Sequence, residues 1–334
     1  MLDRRDHAHP KTVWQHLRLF FTGFAMGSAD LVPGVSGGTM AFILGVYEDL
    51  LNAIKSFNTT SIRMLFSLKI KDFIAYVPLR FLIALGLGIG TAILFLSGFL
   101  SRTLDDPAGR VLLFAFFFGL VMASIFAVGA QVRWSRGAII GLVIGALAAF
   151  GIVNALPAHI ESTPINLFLA GMLAICAMIL PGISGSFILL ILGQYDNVLT
   201  AVTNRDFVTV GIVAAGCVVG IIIFARVLSW LLKHYFHITV ATLVGFMVGS
   251  LWKVWPWKEC VASELDRHGE VRCLVEQHLL PEFGSEQFVI ALGLATAGFL
   301  LVSILDHLQS GANPVMGLVW RIDKTRTAPS TFTD

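Results

Sequence analysis

The chain has 334 residues, of which 56% are hydrophobic and 13% charged, with a mean hydropathy of +0.82 and a net charge of +2. So few charges cannot cover a soluble surface, and charges this scattered between apolar runs exclude a nucleic-acid binder. The chain reads as an integral membrane protein, an all-α polytopic fold in a single membrane domain, residues 1–334.

The first thirty residues, MLDRRDHAHPKTVWQHLRLFFTGFAMGSAD, are basic and then apolar like a signal peptide. They lack a convincing small-residue cleavage site and are expected to be retained. The apolar run that follows is interrupted at Pro33-Gly34. Its arms of about 14 to 17 residues are short for the ~30 Å of a bilayer core and suit a re-entrant hairpin, residues 14–54. Three runs of span length come next, at residues 77–100, 111–130 and 137–156. A second interrupted run breaks at Pro181-Gly182 and predicts a hairpin over residues 164–203. Spans at residues 208–232, 238–255 and 287–308 complete the set. Residues 257–286, polar and acidic, form the predicted extracytoplasmic loop. Cys260 and Cys273 in that loop either form a disulfide or stay unpaired. Cys176 and Cys217 fall in apolar runs as small core residues, and no metal-spaced set or cofactor motif is present.

The two interrupted runs are copies of each other. LVPGVSGGTMAFILGVYEDLLNAI at Leu31 aligns without gaps onto ILPGISGSFILLILGQYDNVLTAV at Ile179, with ten of 24 positions identical. Each half therefore reads as a hairpin plus three spans, residues 14–156 and 164–309. A hairpin returns to its own side and three spans do not, so the second half must enter upside down, as an inverted repeat. With both termini cytoplasmic, fourteen Lys and Arg fall inside and seven outside, which agrees with the positive-inside rule. Two full spans per hairpin would give the same parity.

Proline and glycine end one half-helix and start the next near Ser36 to Thr39 and Ser184 to Phe187. Helix N-termini expose N–H groups and a positive dipole end, which suit an anion in a low-dielectric setting. The candidate phosphate-binding residues are Pro33, Gly34, Ser36, Gly37, Gly38 and Thr39 in the first copy and Pro181, Gly182, Ser184, Gly185 and Ser186 in the second. Hairpins that merely pack are the alternative. Asp30, three residues before Pro33, lies at membrane depth and is the candidate coupling site for a proton or sodium ion; otherwise it caps a helix end. Its counterpart is Met178, so the halves differ chemically. Glu48 and Asp196 are weaker coupling candidates, about 18 Å along a straight helix from Ser36 and Ser184, back at the interface. Arg80 and Arg226 could bind a phosphate bidentately or could snorkel from span ends.

GSADLVPGVSGGTMAFILGVYEDL and LPGISGSFILLILGQYDNVL resemble the two signature segments of the bacterial polyprenyl-phosphate transporter family, long described only as a domain of unknown function. The resemblance runs from about Trp14 to Leu308. It implies a non-enzymatic, cofactor-free protein of the bacterial cytoplasmic (inner) membrane. Such a protein would return undecaprenyl phosphate, the lipid carrier of cell-wall and surface-glycan precursors, to the inner leaflet as its repeats rock. Asp30 and the residues of both Pro-Gly motifs would then form the site, among membrane lipids, with a homo-oligomer left open. Two rivals remain. PGVSGGT is similar to the PGxSR segment of integral-membrane undecaprenyl-pyrophosphate phosphatases, but Gly37 and Gly185 stand where those have arginine, and no acid pair accompanies them. A transporter of small anions or ions would also use half-helix tips.

Overall fold

The computed structural model describes residues 10, 12–32, 34–156, 158, 160–265, 271–311 and 313–319. Pro33 lies outside the described residues, as do Arg4, Arg5, Lys11, Arg267, Arg321, Lys324 and Arg326, seven of the charges used to orient the chain.

Helix α1 spans Val13–Asp30; after the first Pro-Gly break come α2 (Gly37–Ile43) and α3 (Tyr47–Lys55). Short helices α4 (Thr59–Phe66) and α5 (Ile70–Tyr76) precede three long ones, α6 (Leu79–Asp105), α7 (Pro107–Gly129) and α8 (Arg136–Val153). The second half holds α9 (Pro164–Ile179), α10 (Gly185–Ile191), α11 (Tyr195–Thr203), α12 (Phe207–His234) and α13 (Phe236–Val254). An antiparallel pair, β1 (Lys258–Leu265) and β2 (Val271–His278), leads to α14 (Glu286–Ser310) and α15 (Met316–Val319). Polar caps set several starts: Thr12, Asp106, Ser135, Thr163, Asp206 and Ser285 each accept a backbone N–H from the first turn of the helix they precede.

Among the described residues six helices, α6, α7, α8, α12, α13 and α14, are long and apolar enough to cross a membrane, and each falls on one of the six predicted runs. Their outward side chains include Leu94 and Phe95 on α6, Leu147 on α8 and Val218 on α12, all exposed and all suited to lipid. The chain is thus a predominantly helical polytopic membrane protein. Its helices approach closely at glycines. A Cβ on Gly145 of α8 would strike the Thr242 carbonyl of α13, and one on Gly119 of α7 would strike the Ala295 carbonyl of α14. Contacts also fix direction. Gly141 meets Ile238 while Gly145 meets Thr242 and Phe246, so α8 and α13 run parallel. By the same reasoning α1 runs with α6, with Gly23 on Leu85 and Gly27 on Ile89. In the second half α9 runs with α12, with Gly216 on Phe168 and Gly220 on Met172.

Three features depart from the sequence reading. The second arm of each hairpin is two helices rather than one, because Gly45 and Gly193 turn the chain at φ of 68° and 65°; α10 and α11 meet at 111°. Short helices α4 and α5 fill residues 59–76, where no element was expected. The fold is not wholly helical, since the polar loop holds a two-stranded ribbon. Cys260 and Cys273 are joined across that ribbon with Cα atoms 5.6 Å apart, while Cys176 and Cys217 are free thiols.

Candidate functional site

Both Pro-Gly breaks end against one face of α13. Gly34 and Gly182 adopt φ of 86° and 92°, backbone that a side chain strains. A Cβ on Gly34 would lie 2.9 Å from Cγ of Lys253, and one on Gly182 would lie 2.6 Å from Oγ of Ser250. Residues three apart share a helix face, so Ser250 and Lys253 present one surface to both breaks. The breaks also touch each other. Ser36 Oγ donates to the carbonyls of Leu180 at 3.2 Å and Met178 at 3.3 Å, and the Tyr47 hydroxyl donates to the Ile179 carbonyl at 3.1 Å. Carbonyls in a helix's last turn have no partner within it, so the first motif caps the helix of the second. Val32, Val35, Ile183 and Met247 are fully buried around this junction.

The two tips are chemically different. At the first, Gly37 N–H donates to Asp30 Oδ1 at 2.7 Å, Gly38 N–H to Ser36 Oγ at 3.1 Å and Thr39 N–H to the Ser36 carbonyl at 2.9 Å. The donors expected to await an anion are therefore taken. A buried N–H costs about 1–3 kcal/mol when unpaired, and Asp30 is close enough to satisfy one. Asp30 thus caps a helix end. The Thr39 hydroxyl is buried with no hydrogen-bond partner among the described residues. At the second tip Met178 replaces the acid, and Ser184 makes no side-chain cap bond. Its hydroxyl instead pairs with that of Ser186 at 2.8 Å, and Ser186 is exposed. Pro181, Gly182 and Gly185 are buried beneath it.

The other predicted residues differ in how far they lie from the tips. Arg80 is exposed beside Val13, His16 and Leu17 at the start of α1, some 17 residues or about 25 Å from Asp30. Arg226 is level with Pro181 by the register of α9 on α12, and its side chain is exposed. Glu48 and Asp196 sit in the first turns of α3 and α11, where a carboxylate suits the helix dipole. The straight helix assumed to carry them away from the serines is broken at Gly45 and Gly193.

The sequence reading counts Lys253 and Lys258 among the seven outer charges, and the structure gathers them into a cluster in which the Lys258 side chain is buried and that of Lys253 partly buried. Lys253 Nζ lies 2.8 Å and Lys258 Nζ 3.2 Å from the same oxygen, Glu276 Oε2. Lys258 Nζ also donates to the Lys253 carbonyl at 2.8 Å and sits 4.0 Å from the centroid of the Phe114 ring; Lys253 Nζ lies 5.1 Å from that of Phe187. Burial pushes the Lys258 ammonium down to about 8, against the pull of Glu276. Burial works the other way on Glu276, but the two lysines outweigh it and hold its carboxyl below the usual value. The folded protein releases the Lys258 proton more readily than the unfolded chain, so from about pH 8 toward 10.5 the unfolded state binds more protons and stability rises with pH. The wild-type melting temperature should therefore gain on that of Lys258→Met between pH 7.5 and 9.5, and a shrinking difference would contradict this. The signal in the sequence was WKVWPWK, two lysines around a Trp-Pro-Trp turn that folds the second back onto the first.

Residues 26–272 match the family described as undecaprenyl phosphate translocase-like. The chain is 40% identical over 298 residues to a protein of Vibrio cholerae named polyprenyl-phosphate transporter, covering 87% of this chain and 96% of that one. It is 32% identical over 256 residues to a protein of the same name from Staphylococcus aureus, covering 70% and 84%. Both relatives are named as transporters, not enzymes. No solved structure matches.

Proposed function

The chain belongs to the undecaprenyl phosphate translocase-like family, and from that premise we propose that it carries undecaprenyl phosphate from the outer to the inner leaflet of the bacterial cytoplasmic membrane, recycling the carrier lipid. A phosphate group cannot enter hydrocarbon unaided, whereas a polyprenyl tail can remain there, so the protein has only to shelter the headgroup. The observation that carries this reading is the meeting of the two glycine breaks on the Ser250–Lys253 face of α13.

Helix directions support an inverted repeat. If the long helices alternate, α6 and α8 point one way, α13 runs with α8, and α12 opposes both. Because α1 follows α6 and α9 follows α12, the hairpins then enter from opposite sides. The open second tip, with Ser184, Gly185 and Ser186, offers the headgroup hydroxyl and backbone donors; the first tip, through Ser36, holds it in place. Asp30 is the coupling residue. Protonating it weakens its hold on Gly37 N–H and loosens the start of α2, which ties an ion gradient to movement of the first tip. Phosphatase chemistry fits poorly, because glycine follows the motif serine in both copies.

The test is transfer of a labelled polyprenyl phosphate between leaflets of vesicles containing the purified protein. Acceleration over empty vesicles is expected, and an unchanged rate would remove the proposal.

A further inference from the structure

The strongest unexplained feature is the buried charge imbalance where α13 meets the β-ribbon. Two ammoniums share a single carboxylate oxygen, and Arg110 lies close enough to repel Lys258. Lys258 is 3% exposed and Lys253 19%. Buried charge without full compensation is costly, and Glu276 neutralises only one of the two lysines. The aromatic faces of Phe114 and Phe187 soften this cost without removing it. The site is also recessed: Phe114 lies seven residues into α7, about 10 Å below its start.

A cleft of about 80 Å³ opens onto Lys253 and Glu276. One wall is polar, with those two residues and His278, whose Nε2–H donates to the Trp252 carbonyl at 2.7 Å. The other is apolar, with Leu156, Leu190 and Ile191. This pairing of walls fits a phosphate joined to a hydrocarbon better than a free anion. Lys253 is also the residue that touches the first glycine break and lies over the ring of Phe187, two residues beyond Gly185 at the second tip. A phosphate seated here would therefore stand next to both tips.

We propose that Lys253 and Lys258 form a capture site for the phosphate of a prenyl-type lipid, and that Glu276 occupies it as a built-in competitor which the phosphate displaces. A dianionic phosphate presents three oxygens to the two ammoniums where the carboxylate presents one, so it neutralises the excess charge that Glu276 leaves. The carboxylate, tethered on β2, stays nearby and pushes the phosphate off again, so that capture does not become a trap. This rests on the transport reading above and adds the residues that first receive the headgroup.

The experiment measures binding of tritiated farnesyl phosphate, and of inorganic phosphate, to the full-length protein in nanodiscs, alongside vesicle transport. Lys253→Met with Lys258→Met should weaken farnesyl phosphate binding by roughly tenfold or more, while Lys253→Arg stays within about threefold of wild type. Glu276→Gln should bind more tightly, by roughly threefold to tenfold, yet transport more slowly. Misfolding cannot produce that sign. Weaker binding by a Glu276→Gln protein that melts like wild type overturns the competitor role. Wild-type binding and transport in the lysine variants overturn the capture site and leave the transport reading standing. Inorganic phosphate bound as tightly as farnesyl phosphate, and lost in the lysine variants, keeps the anion site but overturns the lipid as its ligand. Absence of any binding or transport by the wild type overturns both readings.

Discussion

Asp30→Asn is expected to fold and melt like the wild type while transport stops responding to an imposed proton or sodium gradient. Asparagine keeps an oxygen where Asp30 Oδ1 now accepts the Gly37 N–H at 2.7 Å, so the start of α2 stays capped; what it loses is the ability to titrate. Asp30→Ala should differ. It leaves a buried N–H without an acceptor, at about 1–3 kcal/mol, and should lower both the melting temperature and the transport rate. The comparison separates the capping bond seen in the structure from the coupling role proposed for the same side chain. Vesicle transport with and without a gradient, for wild type and both variants, is the measurement. Full and still gradient-dependent transport by Asp30→Asn would confine Asp30 to capping.

Gly182→Ala should be more damaging than Gly34→Ala, although the two positions are copies. Both hold positive φ, where a left-handed backbone costs an alanine roughly 1–2 kcal/mol. The surroundings then decide. At Gly34 the atoms nearest a new Cβ belong to side chains, Lys253 Cγ at 2.9 Å and Lys253 Cβ and Val254 Cγ2 at 3.3 Å, which yield more readily than backbone. At Gly182 the new Cβ meets Ser250 Oγ at 2.6 Å and the Phe246 carbonyl at 3.0 Å, and a carbonyl in the middle of α13 cannot move aside. Transport by Gly182→Ala should fall by roughly tenfold or more, the equivalent of about 1.4 kcal/mol. Adding Ser250→Ala removes the hydroxyl and should recover part of the loss but not all, because φ strain and the carbonyl contact remain. Gly182→Ala with wild-type melting and transport would show that the second break tolerates a side chain and does not hold its neighbours closely.

The elements most legible in the sequence are those set by local chemistry. Six runs of span length became six helices because length and apolarity alone decide what can cross a bilayer. Pro-Gly at positions 33–34 and 181–182 marked the breaks because no helix passes through that pair undisturbed. The turns at Gly45 and Gly193 were visible only as identities between the copies, since a lone glycine in an apolar run is often tolerated. The ribbon has a weak signal of its own: in VRCLVEQH, Val271, Cys273 and Val275 alternate with Arg272, Leu274 and Glu276, near the period of a strand. What lay beyond local reading was partnership. Whether Asp30 faces a bound ion or Gly37 depends on how far the chain doubles back after Pro33. Likewise, Lys253 and Lys258 gain their meaning from Glu276, which approaches them only when β2 folds back along β1.

The glycine seams of the long helices have a consequence for motion. Where α7 rests on α14, and α8 on α13, backbone lies against carbonyl with no side chain between, and each seam joins one half of the molecule to the other. Surfaces meshed that closely resist sliding, because a shift of even one residue would drive Cβ atoms into the opposing backbone. In the transport proposed above, these four helices would act as a stator, and alternation of access would come from the units built of α1 with α6 and α9 with α12, each swinging with its own hairpin about that fixed pillar.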